Sequence, residues 1–340
     1  MIIPAGLISQ KSFREADWWR REGDGVRCTL CPHVCFLSPG ETGRCGVRIH
    51  MEGEGLRSLS YGMVSSLAMD PIEKKPLYHW KPGTRILSFG SVGCSMRCPF
   101  CQNWKLAECA PSVPLRRISP EEPALLAKRH GAPSVAFTYN EPLTWFEFLL
   151  DSCTFLSEFK IPAVLVSNGM INADPLDQLL PQVAAANIDL KAFTAEAYRF
   201  LGGELETVKR TIQTLLNAGK HVEVTFLLVP RINEEIPAFT EMTAWLASLD
   251  PAPVLHISRY FPNREWREPA TPPERIREFE VIAKERLPWV YPGNIDGDIV
   301  TRCRNCGGVL LLRHRYSVLQ NNVTSDGRCA FCSSPSPIIL

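Results

Sequence analysis

The stretch GSVGCSMRCPFCQN, residues 90–103, decides the fold of this 340-residue chain because its three cysteines share one short loop. Cys94, Cys98 and Cys101 follow the spacing C-x3-C-x2-C, and an apolar run at residues 85–89 leads into them. Thiolates are the preferred ligands of iron–sulfur clusters. Three thiolates can hold three irons of a [4Fe–4S] cluster and leave the fourth iron open, as catalytic metal sites require.

A zinc knuckle is the alternative for this loop. A three-cysteine zinc site needs a fourth ligand, and the next cysteine or histidine after Cys101 is Cys109. The spacing, the aromatic Phe100 before the third cysteine and the preceding apolar run favour the cluster.

Cysteine usage is the abnormal feature of the composition. The chain has 13 cysteines, 45% apolar residues and a formal net charge of +1, so no polyanion is indicated as an obligatory partner. Residues 1–6 do not open a signal peptide, and no apolar run reaches the ~18 residues of a membrane span. Tight C-x2-C pairs in such a chain predict metal ligation in a reducing cytoplasm.

Two further cysteine groups flank the loop. The first can close a tetrahedral zinc site or hold a second cluster, with His33 as a substitute ligand. The second has the C-x2-C…C-x2-C spacing of a zinc ribbon, with a rubredoxin-like iron site as its chief rival. The two groups are Cys28, Cys31, Cys35 and Cys45, and Cys303, Cys306, Cys329 and Cys332.

Strand and helix signals alternate through the centre of the chain, which predicts a parallel sheet with right-handed crossovers. The pattern divides the chain into an N-terminal cysteine-rich region at 1–83, a core at 84–298 and a zinc-ribbon-like module at 299–340. The segment DPIEKKPLYHW, residues 70–80, is predicted to be a solvated connector, with a lid over the cysteine loop as the alternative.

Polar residues follow the predicted strands where each strand ends. Sites in parallel α/β proteins assemble at the carboxyl ends of the strands. The strand-end residues are therefore predicted to converge on one rim, where Arg259 is the candidate for binding a substrate carboxylate. They are Cys94, Asn140, Glu141, Ser167, Asn168, Asp189, Lys191, Pro230, Arg231 and Arg259.

The cysteine loop, with Phe100 before its third cysteine, resembles the C-x3-C-x-Φ-C signature of radical S-adenosylmethionine (SAM) enzymes. The resemblance implies a partial (β/α)6 barrel and a [4Fe–4S] cluster whose open iron binds SAM. Electron transfer to SAM then yields a 5′-deoxyadenosyl radical that abstracts hydrogen from a substrate. Phe100 is expected near the adenine, and an electron donor such as flavodoxin or ferredoxin is an expected partner.

Other strand ends resemble those of glycyl-radical activating enzymes. Asn140 and Glu141 keep part of a Gly-Gly-Glu-Pro-like motif that binds the SAM amino group, and Asn168 lies in a Thr-Asn-Gly-like turn. The triplet of Asp189 to Lys191 resembles an Asp-Leu-Lys motif in which the lysine reaches the SAM carboxylate. His256 occupies a position like that of a late-strand histidine near SAM.

From Cys28 to Cys332 the chain resembles the radical SAM family of the AmmeMemoRadiSam system, which is related to pyruvate formate-lyase activating enzyme. The resemblance implies reductive SAM cleavage and action on a protein, peptide or small substrate. Glycyl-radical activation of a partner enzyme is the more specific alternative. A non-catalytic, metal-rich module that binds protein or nucleic acid is the third hypothesis, although neither nucleic acid nor a membrane is an expected partner.

Overall fold

The computed structural model describes residues 13–340. The prediction about residues 1–6 lies outside the described residues. The N-terminal region forms two small antiparallel sheets, ordered β1-β6-β5 and β2-β3-β4. Its strands are β1 (Arg14–Glu15), β2 (Trp19–Glu22), β3 (Gly25–Cys28), β4 (Phe36–Leu37), β5 (Arg48–Met51), β6 (Gly55–Ser58) and β7 (Met63–Val64).

The core is an eight-stranded sheet in the order β16-β15-β14-β13-β12-β11-β9-β8. Every neighbouring pair from β9 to β16 is parallel, and β8 pairs antiparallel with β9. The strands are β8 (Ser66–Pro71), β9 (Arg85–Gly90), β10 (Arg116–Arg117, paired with β7), β11 (Val135–Phe137), β12 (Ala163–Ser167), β13 (Val183–Asp189), β14 (His221–Leu228), β15 (Val254–Arg259) and β16 (Val290–Gly293). The predicted parallel sheet is confirmed, and its closure as a partial (β/α)6 barrel stays a prediction.

Helices connect the parallel strands, as the alternating pattern predicted. The helix at Leu205–Asn217 ends shortly before Gly219, which takes the left-handed conformation (φ +69°) that favours glycine after a helix. None of the helices in residues 13–340 is long and apolar enough to cross a bilayer. They are α1 (Trp104–Ala107), α2 (Glu122–His130), α3 (Phe146–Glu158), α4 (Ala173–Leu179), α5 (Ala195–Phe200), α6 (Leu205–Asn217), α7 (Ile236–Ala247) and α8 (Pro273–Lys284), with 3-10 turns at Ile72–Lys74, Pro142–Trp145 and Leu180–Gln182.

The segment at 70–80 covers the inner face of the sheet, defined here as the face that carries Ala136 and Val164. Leu77 and Trp80 are buried against these residues, and His79 is fully buried. Pro71 pairs with Arg85, the first residue of β9, so the segment starts at the end of the sheet opposite the cysteine loop. The prediction of a solvated connector is wrong, because three large apolar side chains of the segment are buried: Ile72, Leu77 and Trp80. The prediction of a lid is wrong, because the segment starts at the end of the sheet opposite the cysteine loop.

One buried carboxylate fixes this segment to the sheet. Glu223 on β14 accepts hydrogen bonds from the backbone N–H groups of Tyr78 (2.9 Å) and His79 (2.7 Å). The Nε2 atoms of His221 and His256 lie 2.9 Å and 2.6 Å from its two oxygens. Burial opposes ionisation of Glu223, but the hydrogen bonds from His221 and His256 outweigh it and hold its pKa well below the usual 4.5.

The C-terminal region is a three-stranded antiparallel sheet of β17 (Asp298–Arg302), β18 (Val309–His314) and β19 (Ser317–Asn321), in which β18 and β19 form a hairpin. Arg313 is fully buried, donates to Thr301 Oγ1 (2.9 Å) and donates to the Tyr78 carbonyl. This contact ties the C-terminal sheet to the segment at 70–80 and removes Arg313 from any surface that could meet nucleic acid. The region boundaries at 83/84 and 298/299 stay predictions.

Replacing Glu223 with alanine is expected to lower the free energy of unfolding by about 3–5 kcal/mol, because it leaves two histidines and two N–H groups buried without their acceptor. Urea unfolding followed by circular dichroism measures the loss. The stabilisation by the wild-type carboxylate should be complete above pH 4.5 and decline as the pH falls from 4.5 toward the lower native pKa.

The matched control is Glu241→Ala on the exposed side of α7, which should change stability by no more than about 0.5 kcal/mol. Equal effects of the two substitutions would contradict the structural role of Glu223.

Candidate functional site

The cysteine loop is pinned to the sheet immediately after β9. Ser91 N–H donates to Asn140 Oδ1 (2.9 Å), and Asn140 Nδ2 donates to the Gly93 carbonyl (3.0 Å). Gly93 has φ +93°, and a Cβ there would lie 2.8 Å from the Cys45 carbonyl oxygen. Only glycine fits this turn, so the loop and the N-terminal region pack backbone to backbone.

Hydrogen-bond donors converge on the first thiol of the loop. Met96 N–H lies 3.4 Å and Asn168 Nδ2 3.6 Å from Cys94 Sγ. Burial raises the pKa of Cys94, and it raises that of Cys98 to about 11, so these groups are neutral thiols until a metal displaces their protons. N–H groups directed at sulfur stabilise the thiolate form that a cluster requires.

A buried carboxylate links the ends of β11 and β12. Glu141 accepts hydrogen bonds from Ser167 Oγ (2.7 Å), Asn168 N–H (2.8 Å) and Leu143 N–H (3.0 Å). Burial raises the pKa of Glu141 to about 7. The structure therefore brings Asn140, Glu141 and Asn168 together at the loop, as the strand-end pattern predicted.

An ammonium group lies next to the other two thiols. Lys191 Nζ is 2.9 Å from Asp189 Oδ2, and its charge favours the thiolate forms of Cys98 and Cys101. Burial opposes the charged form of Lys191, but Asp189 and then Cys98 outweigh it and raise the lysine pKa. Asn233 Nδ2 holds the Lys191 carbonyl at 2.7 Å, a contact that the sequence did not indicate.

The rest of the loop is held by the segment that follows β15. Arg264 Nη1 donates to the Cys98 carbonyl (2.9 Å), and Glu265 N–H donates to the Pro99 carbonyl (3.0 Å). Phe100 is buried with its ring centroid 6.5 Å from that of Tyr260. Sequence reasoning missed Arg264 and Tyr260 because they lie outside regular elements, where no periodicity marks a buried contact.

Two predicted residues make their contacts elsewhere. The His256 ring packs between Tyr78 and Tyr291 and pairs with Glu223, so the observed geometry gives it a structural role and does not support the expected SAM contact. Arg259 Nε donates to the Thr271 carbonyl (2.6 Å), which connects it to the segment before α8. Its role in binding a substrate stays a prediction.

The chain is similar in sequence to known proteins. A sequence profile described as the radical SAM superfamily matches residues 89–242. The uncharacterized protein MJ0808 of Methanocaldococcus jannaschii is 35% identical over 336 residues, which cover 96% of this chain and 100% of that protein. Residues 89–242 are a radical SAM domain. Members of the radical SAM superfamily are enzymes, and the family implies a [4Fe–4S] cluster and SAM as cofactors.

Several solved structures resemble the chain at low sequence identity. A domain of pyruvate-formate lyase-activating enzyme from Bacteroides vulgatus is 18% identical with a TM-score of 0.43, covering 48% of this chain and 100% of that one. A radical SAM methyltransferase from Sphaerobacter thermophilus is 15% identical with a TM-score of 0.48, covering 61% and 66%. SuiB from Streptococcus suis is 14% identical with a TM-score of 0.46, covering 59% and 46%.

The C-terminal cysteines form a compact group that could bind a metal ion. Their four sulfur atoms all lie within 4.8 Å of one another. The Cys303–Cys332 and Cys306–Cys329 sulfur pairs are each 3.7 Å apart. Sulfur atoms about 2.3 Å from a central ion, as in tetrahedral zinc sites, would have nearly this spacing.

Replacing both Cys306 and Cys329 with serine is expected to remove about one metal ion per chain, because two of four thiolate ligands are lost. Inductively coupled plasma mass spectrometry of anaerobically purified protein, with zinc and iron measured separately, gives the readout. Cys153→Ala is the control and should keep the full metal content, since this cysteine is buried in α3 and belongs to none of the three cysteine groups. Unchanged metal in the double variant would contradict the assignment.

Proposed function

We propose that the protein cleaves SAM reductively and uses the resulting 5′-deoxyadenosyl radical to abstract hydrogen from a protein, peptide or small substrate. The observation that carries this proposal is the loop of Cys94, Cys98 and Cys101, which supplies three thiols and no fourth. When bound, the cluster supplies the electron for cleavage and an open coordination position for the methionine end of SAM. Donors directed at Cys94 Sγ and the ammonium beside Cys98 fit the charge of cluster thiolates.

The strand ends provide complementary charges for the two polar groups of the SAM methionine. Lys191 is a cation beside the loop and suits a carboxylate. Glu141 is a buried carboxyl between β11 and β12, and a bound amino group would favour its ionised form. Asn140 and Asn168 hold the loop on the same side, and Phe100 offers its ring to the adenine.

The proposed family is the radical SAM enzyme of the AmmeMemoRadiSam system, related to pyruvate formate-lyase activating enzyme. The matching cysteine sets at both ends of the chain support this proposal, and zinc is the proposed metal of the C-terminal set because its sulfur spacing is tetrahedral. A flavodoxin or ferredoxin is the proposed electron donor. The cytoplasm, which keeps thiols reduced, is the proposed location.

Cys98→Ala is expected to abolish 5′-deoxyadenosine formation, since two thiolates would not retain the cluster. The assay incubates anaerobically reconstituted protein with SAM and dithionite and measures 5′-deoxyadenosine by liquid chromatography and mass spectrometry. Cys153→Ala should keep the wild-type rate. If the wild-type protein forms no 5′-deoxyadenosine, or the Cys98 variant forms as much, the proposed reaction is wrong.

Lys191→Met is expected to weaken SAM binding about 10- to 100-fold, the cost of losing one charge-assisted hydrogen bond. Equilibrium dialysis with labelled SAM gives the dissociation constant, and the iron content should stay at the wild-type level. Lys209→Met on α6, where the ammonium pairs with an exposed Glu206 carboxylate and lies over two aromatic rings, is the matched control. Equal dissociation constants for wild type and Lys191→Met would remove Lys191 from the proposed SAM site.

A further inference from the structure

The four N-terminal cysteines line one cavity, which Arg48 also borders. Cys28 ends β3, and its N–H donates to the Cys35 carbonyl (2.9 Å) across a turn that contains Cys31. The sulfur atoms of Cys35 and Cys45 both lie within 4.0 Å of the position that a Cβ at Gly43 would take. Two separate stretches of chain therefore direct their thiols into the same space.

The sulfur spacing in this cavity differs from that of a single-ion site. Among residues 13–340, the C-terminal cysteines form the group in which three or more ligand atoms lie within 4.8 Å of one another, and no three of the N-terminal cysteines do so. A tetrahedral zinc ion draws its four sulfur atoms to about that spacing. In a [4Fe–4S] cluster each thiolate binds a different iron, so the ligands stand farther apart around an inorganic core.

The family-defining loop provides an internal comparison. Cys94, Cys98 and Cys101 belong to the sequence signature of a superfamily that carries a [4Fe–4S] cluster, and these three sulfur atoms are likewise not all within 4.8 Å of one another. The N-terminal set thus shares its open spacing with the cluster loop and differs from the compact C-terminal set. The same chain displays both arrangements.

A buried cation lines the cavity. Arg48 is 1% exposed, and its Nη1 donates to Glu147 Oε1 at 2.8 Å. Its Nε has no hydrogen-bond partner within the described part of the protein. An unpartnered donor in the interior is costly, and the thiolate or sulfide of an anionic cluster would be its acceptor.

We propose that Cys28, Cys31, Cys35 and Cys45 bind a second [4Fe–4S] cluster, with Arg48 Nε donating a hydrogen bond to it. Each thiol gives its proton to solvent as its sulfur binds one iron. Because the protein supplies all four ligands, this cluster has no open iron for SAM. It lies against the catalytic loop, where the Cys45 carbonyl touches Gly93 and His33 Nε2 is 2.8 Å from the Ser95 carbonyl. His33 therefore contacts the loop through its Nε2 atom.

The test removes the catalytic loop ligands and leaves the N-terminal set intact. The triple variant Cys94→Ala, Cys98→Ala and Cys101→Ala is purified anaerobically and reconstituted with iron and sulfide. We expect about four irons per chain, against about eight in the wild type, and no more than about one zinc in either protein. After reduction, electron paramagnetic resonance of the variant should show a [4Fe–4S] signal that SAM does not change.

Further substitution of Cys31 and Cys35 with alanine in the triple variant should remove this remaining iron. Circular dichroism of each variant reports whether it has folded. Mössbauer spectroscopy of the wild type tests the same point without substitution and should resolve two clusters, only one of which responds to SAM.

A triple variant that binds a second zinc in place of iron, or binds no metal at the N-terminal set, would overturn the proposal. The test does not depend on the proposed SAM cleavage. The triple variant lacks the catalytic loop ligands whether or not its N-terminal cysteines bind iron.

Discussion

Both faces of the parallel sheet must be covered, and the inner face carries the buried carboxylate of Glu223. Helices cover the outer face, and the segment at 70–80 covers the inner face at the end where the strands begin. Glu223 makes that cover specific, since it accepts two backbone N–H groups of the segment and pairs with two histidines of the sheet. With that end closed by packed side chains, the opposite rim is left to assemble the cysteine loop and the polar strand ends.

The buried groups at this rim have charges that a bound cluster and SAM would complement. The thiols of Cys94 and Cys98 are buried and have raised pKa values, and Glu141 has a pKa of about 7 because it too is buried. Lys191 remains charged through Asp189. A metal would convert the thiols to thiolates, and the resulting negative charge would lie next to the lysine and the N–H donors that already face it.

The sequence was sufficient to predict the parallel sheet and the convergence of Asn140, Glu141, Asn168, Asp189 and Lys191, because strand direction alone brings the strand ends to one rim. The segment at 70–80 was predicted to be solvated because it has four charged residues and only three large apolar ones. Two of the charged residues, Glu73 and Lys75, are themselves buried. His256 was assigned from its place late in the strand order, whereas the direction of its ring depends on Glu223, a partner 33 residues away that no local pattern reveals. Arg264 was missed for the same reason: its contact with the Cys98 carbonyl spans 166 residues.

The two four-cysteine sets show why spacing along the chain does not determine which metal is bound. Each set offers four thiols, with one C-x2-C pair in the N-terminal set and two in the C-terminal set, so their ligand chemistry is the same. In the C-terminal set the pairs come from two turns beside one small antiparallel sheet, and the sulfur atoms meet at tetrahedral distance. In the N-terminal set the four cysteines border a cavity. Its walls include Arg48, Leu143 and Met170 from three separate parts of the chain. On the proposal that this set binds a second cluster, those walls would hold the four sulfur atoms far enough apart for a four-iron core and too far apart for one ion.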